Sequence, residues 1–157
     1  MLRTGLLQIC AALLGAAIVL PAGLAPAFAI DTETTTGRPD LRPVRVKIRA
    51  KDWKGATADL YAMIDRGAQH ADVYNLLGFS LRKSGDYQTA YTFYRKALEF
   101  NPEHKGALEY LGELYAETGE MAKAREHAAL LKKLCPEGCE ELADLEKAIA
   151  EAQPATQ

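Results

Sequence analysis

Between Asp72 and His104 the apolar positions form two runs at helical spacing: Val73, Leu76, Leu77 and Leu81, then Tyr91, Tyr94 and Leu98. Ser84-Gly85-Asp86 stands between them as a turn, with Gly85 supplying the backbone freedom that ends the first helix. Asn101-Pro102 closes the second, because proline disfavours helical backbone at the residue before it. The same hairpin recurs downstream. At an offset of 34 residues Leu77-Gly78 falls on Leu111-Gly112, Gly85 on Gly119, Asp86 on Glu120, Ala90 on Ala124 and Pro102 on Pro136. Upstream, Asp52-Trp53 falls on Asp86-Tyr87, and Ala56 on Ala90. A fixed period of this size marks stacked supersecondary units.

An incomplete unit precedes the two full ones. Ala56, Leu60 and Met63 fit its second helix, which runs to about Gly67. From Leu41 to Ala50, Val44, Val46 and Ile48 alternate with Arg45, Lys47 and Arg49, a period that by itself suits a strand. The repeat context predicts instead a brief helix with Pro43 in its first turn. Glu140 to Ala152 closes the chain, with Leu142, Leu145 and Ile149 on one face and Glu140 and Glu141 in the first turn, where they complement the helix dipole. A terminal unit of a solenoid buries only one face and needs a half-polar cap. This helix meets that need.

The residues at the repeating positions resemble the tetratricopeptide repeat family, whose pattern reads Trp-x2-Leu-Gly-x2-Tyr, then Ala, an aromatic, Ala and Pro. In the first full copy those places hold Tyr74, Leu77, Gly78, Leu81, Ala90, Tyr94, Ala97 and Pro102. In the second they hold Leu108, Leu111, Gly112, Tyr115, Ala124, Ala128, Leu131 and Pro136. Gly78 and Ala90, like Gly112 and Ala124, let the two helices of a unit approach closely. The resemblance implies an all-α fold, a short right-handed superhelix of about two and a half repeats over residues 41–152. Its parts are a partial repeat at 41–70, repeats at 71–104 and 105–138, and a capping helix at 140–152, with a tail at 153–157.

In that family the first helices of successive units line a concave groove. By position in the pattern, the lining here is Asn75, Phe79, Arg82 and Lys83 from one unit and Glu109, Glu113, Ala116 and Glu117 from the next. Glu109, Glu113 and Glu117 are four apart and form one acidic stripe. Phe79 offers an apolar anchor, with Arg82 and Lys83 beside it. The resemblance therefore implies a groove for an extended peptide or partner helix carrying basic and apolar groups, set against the plainer reading of a solvated helix face. Some members grip a C-terminal carboxylate with Lys, Asn and Arg. Here Phe79 and Glu113 stand where that set wants polar donors, and Glu109 repels a carboxylate.

Leu134-Cys135-Pro136-Glu137-Gly138-Cys139-Glu140-Glu141 falls where the second full repeat ends and the closing helix begins. It looks like the terminal motif of a group of secreted bacterial tetratricopeptide proteins that end in a similar run. A turn through Pro136 and Gly138 can bring the two Cα atoms within disulfide range, which would staple the cap to the last repeat. Free thiols, and metal or redox chemistry, remain the other readings of Cys135 and Cys139. The spacing is not that of thioredoxin, nothing basic adjoins Cys135, and His127 is the only imidazole near in sequence.

The first thirty residues follow a different rule. Arg3 is the only charge before Asp31, an apolar stretch runs from Leu6 to Leu20, and Ala27-Phe28-Ala29 supplies small residues after Pro21 and Pro26. That is the pattern of a secretory signal, predicted to be cleaved after Ala29 and to carry Cys10 away with it. A flexible lead-in at 30–40 follows. The 157-residue chain is 48% apolar and 25% charged with a net charge of −2, so no bulk charge draws it to nucleic acid or to anionic membrane. Charge is split all the same. Arg38 to Lys54 holds seven basic and two acidic residues, whereas Glu99 to Gln157 holds six basic and thirteen acidic. No haem-attachment motif, phosphate-cradling glycine loop or Ser-His-Asp arrangement is present. The expectation is an exported, non-catalytic scaffold of the periplasm or cell envelope that binds a protein or peptide, with no cofactor, no metal, no nucleic acid and no membrane insertion of the mature chain. The alternatives are a thiol- or metal-handling protein centred on Cys135 and Cys139, or a homo-oligomerising structural unit.

Overall fold

The computed structural model describes residues 38–152. The signal reading of 1–29, Cys10, all but the last three residues of the 30–40 lead-in, and the 153–157 tail lie outside the described residues.

The described residues form seven helices and no strand: α1 (Arg42–Arg49), α2 (Trp53–Asp65), α3 (Ala71–Lys83), α4 (Tyr87–Phe100), α5 (Lys105–Glu117), α6 (Met121–Leu134) and α7 (Glu140–Ala152). The sequence period is printed on the backbone. α2, α4 and α6 begin 34 residues apart, as do α3 and α5. Their start signals repeat as well. Asp52 and Asp86 accept hydrogen bonds from the Gly55 and Thr89 amides at 2.9 and 3.1 Å, satisfying donors that a helix leaves orphaned at its first turn. Glu120 takes the same place before α6 without a side-chain cap. His70 and His104 cap α3 and α5 through Nδ1, accepting from the Asp72 and Ala107 amides at 3.2 and 3.0 Å.

The valine and isoleucine alternation before residue 50 resolves as the helix α1, with Pro43 in its first turn. Val44 is buried and Val46 exposed, the result expected when side chains turn about 100° per residue rather than 180°. The turns that follow the first helix of each unit need left-handed backbone. Gly85 and Gly119 provide it at φ of 87° and 82°. Lys51 stands one period earlier and is held at φ of 57°, the only described non-glycine residue with positive φ.

Each helix packs on the next in sequence, and α7 folds back onto both α5 and α6. Gly78 lies under the Tyr94 ring, where an added Cβ would come within 2.7 Å of the ring. One period later the tyrosine becomes Ala128, and the room above Gly112 is taken by Leu145 of α7, 2.6 Å from where a Cβ would stand. The cap thus supplies the side chain that the last repeat lacks. Leu145, Tyr94, Leu60, Leu77 and Leu131 are fully buried. No described helix is long and apolar enough to cross a membrane.

Candidate functional site

α1, α3, α5 and α7 share one face, and two hollows lie along it. The smaller, about 150 Å³, is walled by Arg45, Ile48, Leu76, Phe79 and Tyr110. Its aromatic floor is continuous: Trp53 meets Phe79 edge-on at 6.0 Å, Phe79 meets Tyr110 at 4.9 Å, and Tyr110 lies 6.2 Å from Tyr94. Lys83 sits with its ammonium 5.4 Å from the centre of the Phe79 ring. The larger hollow, about 310 Å³, runs from Asn75 and Leu76 across Glu109 and Tyr110 to Glu141 and Asp144 on α7.

The residues expected to line the groove divide into three kinds. Phe79 and Glu113 are half-buried on this face, and Lys83 and Glu117 are exposed. Asn75, Glu109 and Ala116 are buried, with 6%, 7% and 4% of their surface exposed. Arg82 is the departure. Its side chain is buried, its Nη2 donates to Glu113, its Nη1 lies 3.7 Å from Glu117, and its guanidinium stacks against Tyr110. Burial works against its charge, but Tyr94, Glu113 and Glu117 together outweigh that and hold its pKa above the ordinary arginine value. The acidic stripe read from the sequence is therefore half spent inside the fold. Glu113 is engaged by Arg82, Glu117 stays exposed with its carboxylate 3.7 Å from Arg82, and the buried Arg82 offers no open positive charge beside Phe79.

Glu109 is what the internal ion pair leaves over. No described cation lies within ion-pair distance of it. Burial, reinforced by Glu113, Asp144 and Glu141, pushes its carboxyl up to about 8, against a small opposing pull from Arg82. The same surroundings push the Tyr110 hydroxyl up to about 12, burial first and then Glu109.

A third hollow, about 660 Å³, lies at the end of the face between the helix starts. There His104 Nε2 lies 2.9 Å from Asp72 Oδ1, while Arg38 reaches Asp72 Oδ2 at 3.3 Å. Because His104 Nδ1 accepts from Ala107, its Nε2 carries the proton and donates to Asp72. Burial raises the Asp72 carboxyl, but the bonds from His104 and Arg38 prevail and hold it below its ordinary value. The two histidines one repeat apart thus meet through a carboxylate, with His70 Nδ1 3.6 Å from Asp72. At the far end, Cys135 and Cys139 bracket the turn between α6 and α7 with Cα atoms 6.0 Å apart and their sulfurs at bonding distance.

Sequence reasoning missed Tyr110 and the α7 acids. Tyr110 falls one period after Leu76, outside the positions that the repeat pattern singles out. Asp144 and Glu141 sit on a helix that the repeat pattern assigns only to capping.

Residues 71–104 match the tetratricopeptide repeat family, and this is the copy that the sequence pattern describes most fully. Over 62 residues, 40% of this chain, the sequence is 36% identical to the uncharacterized protein ycf37 of Pyropia yezoensis, spanning 35% of that protein. Over 55 residues, 35% of this chain, it is 46% identical to the probable biofilm formation methyltransferase WspC of Pseudomonas putida, spanning 13% of that protein. The chain thus matches about a third or less of these curated relatives. Among solved structures, the backbone is similar to YrrB, described as a TPR protein with an unusual peptide-binding site. The TM-score is 0.54 at 19% identity, over 72% of this chain and 66% of that one. The architecture is a tetratricopeptide-type α-α superhelix.

Proposed function

We propose that the chain is an exported, non-catalytic adaptor that binds an extended peptide segment of another protein along the α1–α3–α5–α7 face. The observation that carries this reading is the aromatic floor of Phe79 and Tyr110, left open as a hollow on the face that tetratricopeptide hairpins direct inward. A solvated face has no use for two large rings in contact at its centre. The match to a family of scaffolding repeats supports binding rather than turnover, as does the backbone likeness to a protein described as having a peptide-binding site. Export rests on the signal pattern of residues 1–29, and the paired Cys135 and Cys139 suit an oxidising compartment. In this reading the cysteines form a bridge that fixes α7 against the last repeat.

Selection of random peptides displayed on phage against residues 30–157 tests the assignment. Selected peptides are expected to lose at least tenfold in affinity against Phe79→Ala and to be unaffected by Tyr87→Ala, which lies on α4 away from the face. Peptides that bind the Phe79→Ala variant unchanged would place the docking surface elsewhere.

A further inference from the structure

The smaller hollow is bounded by no described acid. Arg45, Ile48 and Arg49 of α1 stand on one side of it, with Leu76 and Phe79 of α3 and Tyr110 of α5 on the other. Positions 45, 48 and 49 are three and four apart, so a single face of α1 carries both arginines and the isoleucine into the hollow. The other two basic residues of α1 are engaged, Arg42 with Asp40 at 2.8 Å and Lys47 with Asp59 at 2.6 Å. Arg45 and Arg49 are exposed and form no ion pair among the described residues. Lys83, exposed beside the Phe79 ring, forms none either.

The acids of the face stand elsewhere. Glu113 and Glu117 flank Arg82, Asp72 is held by His104 and Arg38, and Glu109 is buried. Glu140, Glu141 and Asp144 of α7 line the larger hollow, which Arg45 also borders without pairing. Around the aromatic floor the open charge is therefore the reverse of the glutamate stripe read from the sequence.

We propose that this hollow receives one large apolar side chain of the partner segment, and that acidic residues next to it in that segment set their carboxylates on Arg45 and Arg49. The partner is then an acidic peptide with an apolar anchor. The inference deepens the proposed peptide-binding role and rests on it. Size selects the anchor. About 150 Å³ takes a single leucine- or phenylalanine-sized side chain and falls short of the ~300 Å³ at which pockets begin to hold whole small ligands. Two rings in the floor favour an aromatic anchor, met edge-on or offset. Charge selects its neighbours. Each guanidinium presents paired donors that match a carboxylate, and Arg45 and Arg49 have no other acid to satisfy. The peptide's acids must lie on the α1 side, because toward α7 they meet Glu140, Glu141 and Asp144.

Peptides blocked at both ends keep a side-chain carboxylate apart from a chain terminus. Acetyl-Asp-Glu-Phe-Ser-Gly-amide and acetyl-Gly-Ser-Phe-Glu-Asp-amide place the acids on either side of the anchor and so cover both chain directions. Each is titrated into the ¹⁵N-labelled protein beside versions with Asn-Gln or Lys-Lys in place of the acids, and with Ser in place of Phe. The reporter is the indole N–H of Trp53, the only tryptophan of the chain, whose ring meets Phe79. Exposed ion pairs contribute about twofold to fivefold each. The better acidic peptide is thus expected to bind about tenfold more tightly than its Asn-Gln version, an advantage that about 0.5 M salt removes. Arg45→Glu combined with Arg49→Glu, both at exposed positions, is expected to reverse the order and make the Lys-Lys version the tightest, with helical circular dichroism unchanged. Equal binding of acidic and neutral versions, an acidic preference that survives the double variant, or a Ser version that binds as well as the Phe one overturns the inference. If phage-selected peptides still require Phe79 in that case, the groove stands with a partner of other chemistry; if they do not, both readings fall.

Discussion

Glu109 is buried and unpaired, and its replacement makes a sharp demand on stability as a function of pH. In the unfolded chain its carboxyl ionises near 4.5, and burial among acids pushes it up to about 8 in the fold. Between those values the unfolded state holds fewer protons, so the wild-type fold loses stability as the pH rises through that window and levels off above it. At about 1.4 kcal/mol per unit, the full displacement is worth up to about 4–5 kcal/mol. Water at the open side of the hollow trims this to about 2 kcal/mol. Glutamine keeps the shape and cannot ionise. Glu109→Gln is thus expected to match wild type near pH 4.5 and to exceed it by about 2 kcal/mol at pH 9. Urea unfolding followed at 222 nm, run in parallel for both proteins from pH 4.5 to 9, reads the difference directly. A difference that stays constant across that range, or a variant weaker than wild type at pH 9, would refute the placement of this carboxyl.

Four other outcomes are expected from the same assay. Leu145→Ala removes the side chain that fills the space above Gly112 and should cost about 3 kcal/mol; a loss under about 1 kcal/mol would mean that α7 does not pack there. Glu113→Ala strands the buried Arg82 charge and should cost about 3 kcal/mol, with most of it regained when Arg82→Met and Glu113→Leu are combined. Lys51→Gly relieves the left-handed backbone at the first turn and should stabilise by about 1 kcal/mol. A bridge between Cys135 and Cys139 closes so short a loop that reducing it should lower stability by about 2 kcal/mol; no change on adding reductant would indicate free thiols.

The helices were legible because their signals are local and repeated. Gly85 and Gly119, Asp52 and Asp86, and the Leu-Gly pairs at 77–78 and 111–112 each state a turn, a cap or a close approach in one or two residues. α1 was harder, since Val44, Val46 and Ile48 suit two periods equally and only the surrounding repeat decided between them. The site was less legible for a physical reason. Whether a glutamate is free to meet a ligand depends on what faces it across the stack, which the period does not encode. Glu109, Glu113 and Glu117 look alike along the sequence, yet Arg82 reaches the last two and leaves the first. Glu141 reads only as a dipole partner and Asp144 goes unread, because a capping helix breaks the repeat and lies outside the alignment that places the groove residues.

The docking face is tested most directly by intermolecular NOEs between a phage-selected peptide and the aromatic rings of the labelled protein. Contacts from peptide side chains to the Phe79 and Tyr110 rings are expected, with none to Tyr87 or Tyr91, which line a separate hollow with Leu114, Tyr115 and Lys123. Contacts to Tyr87 and Tyr91 alone would contradict the assignment and move the partner to the opposite side of the stack.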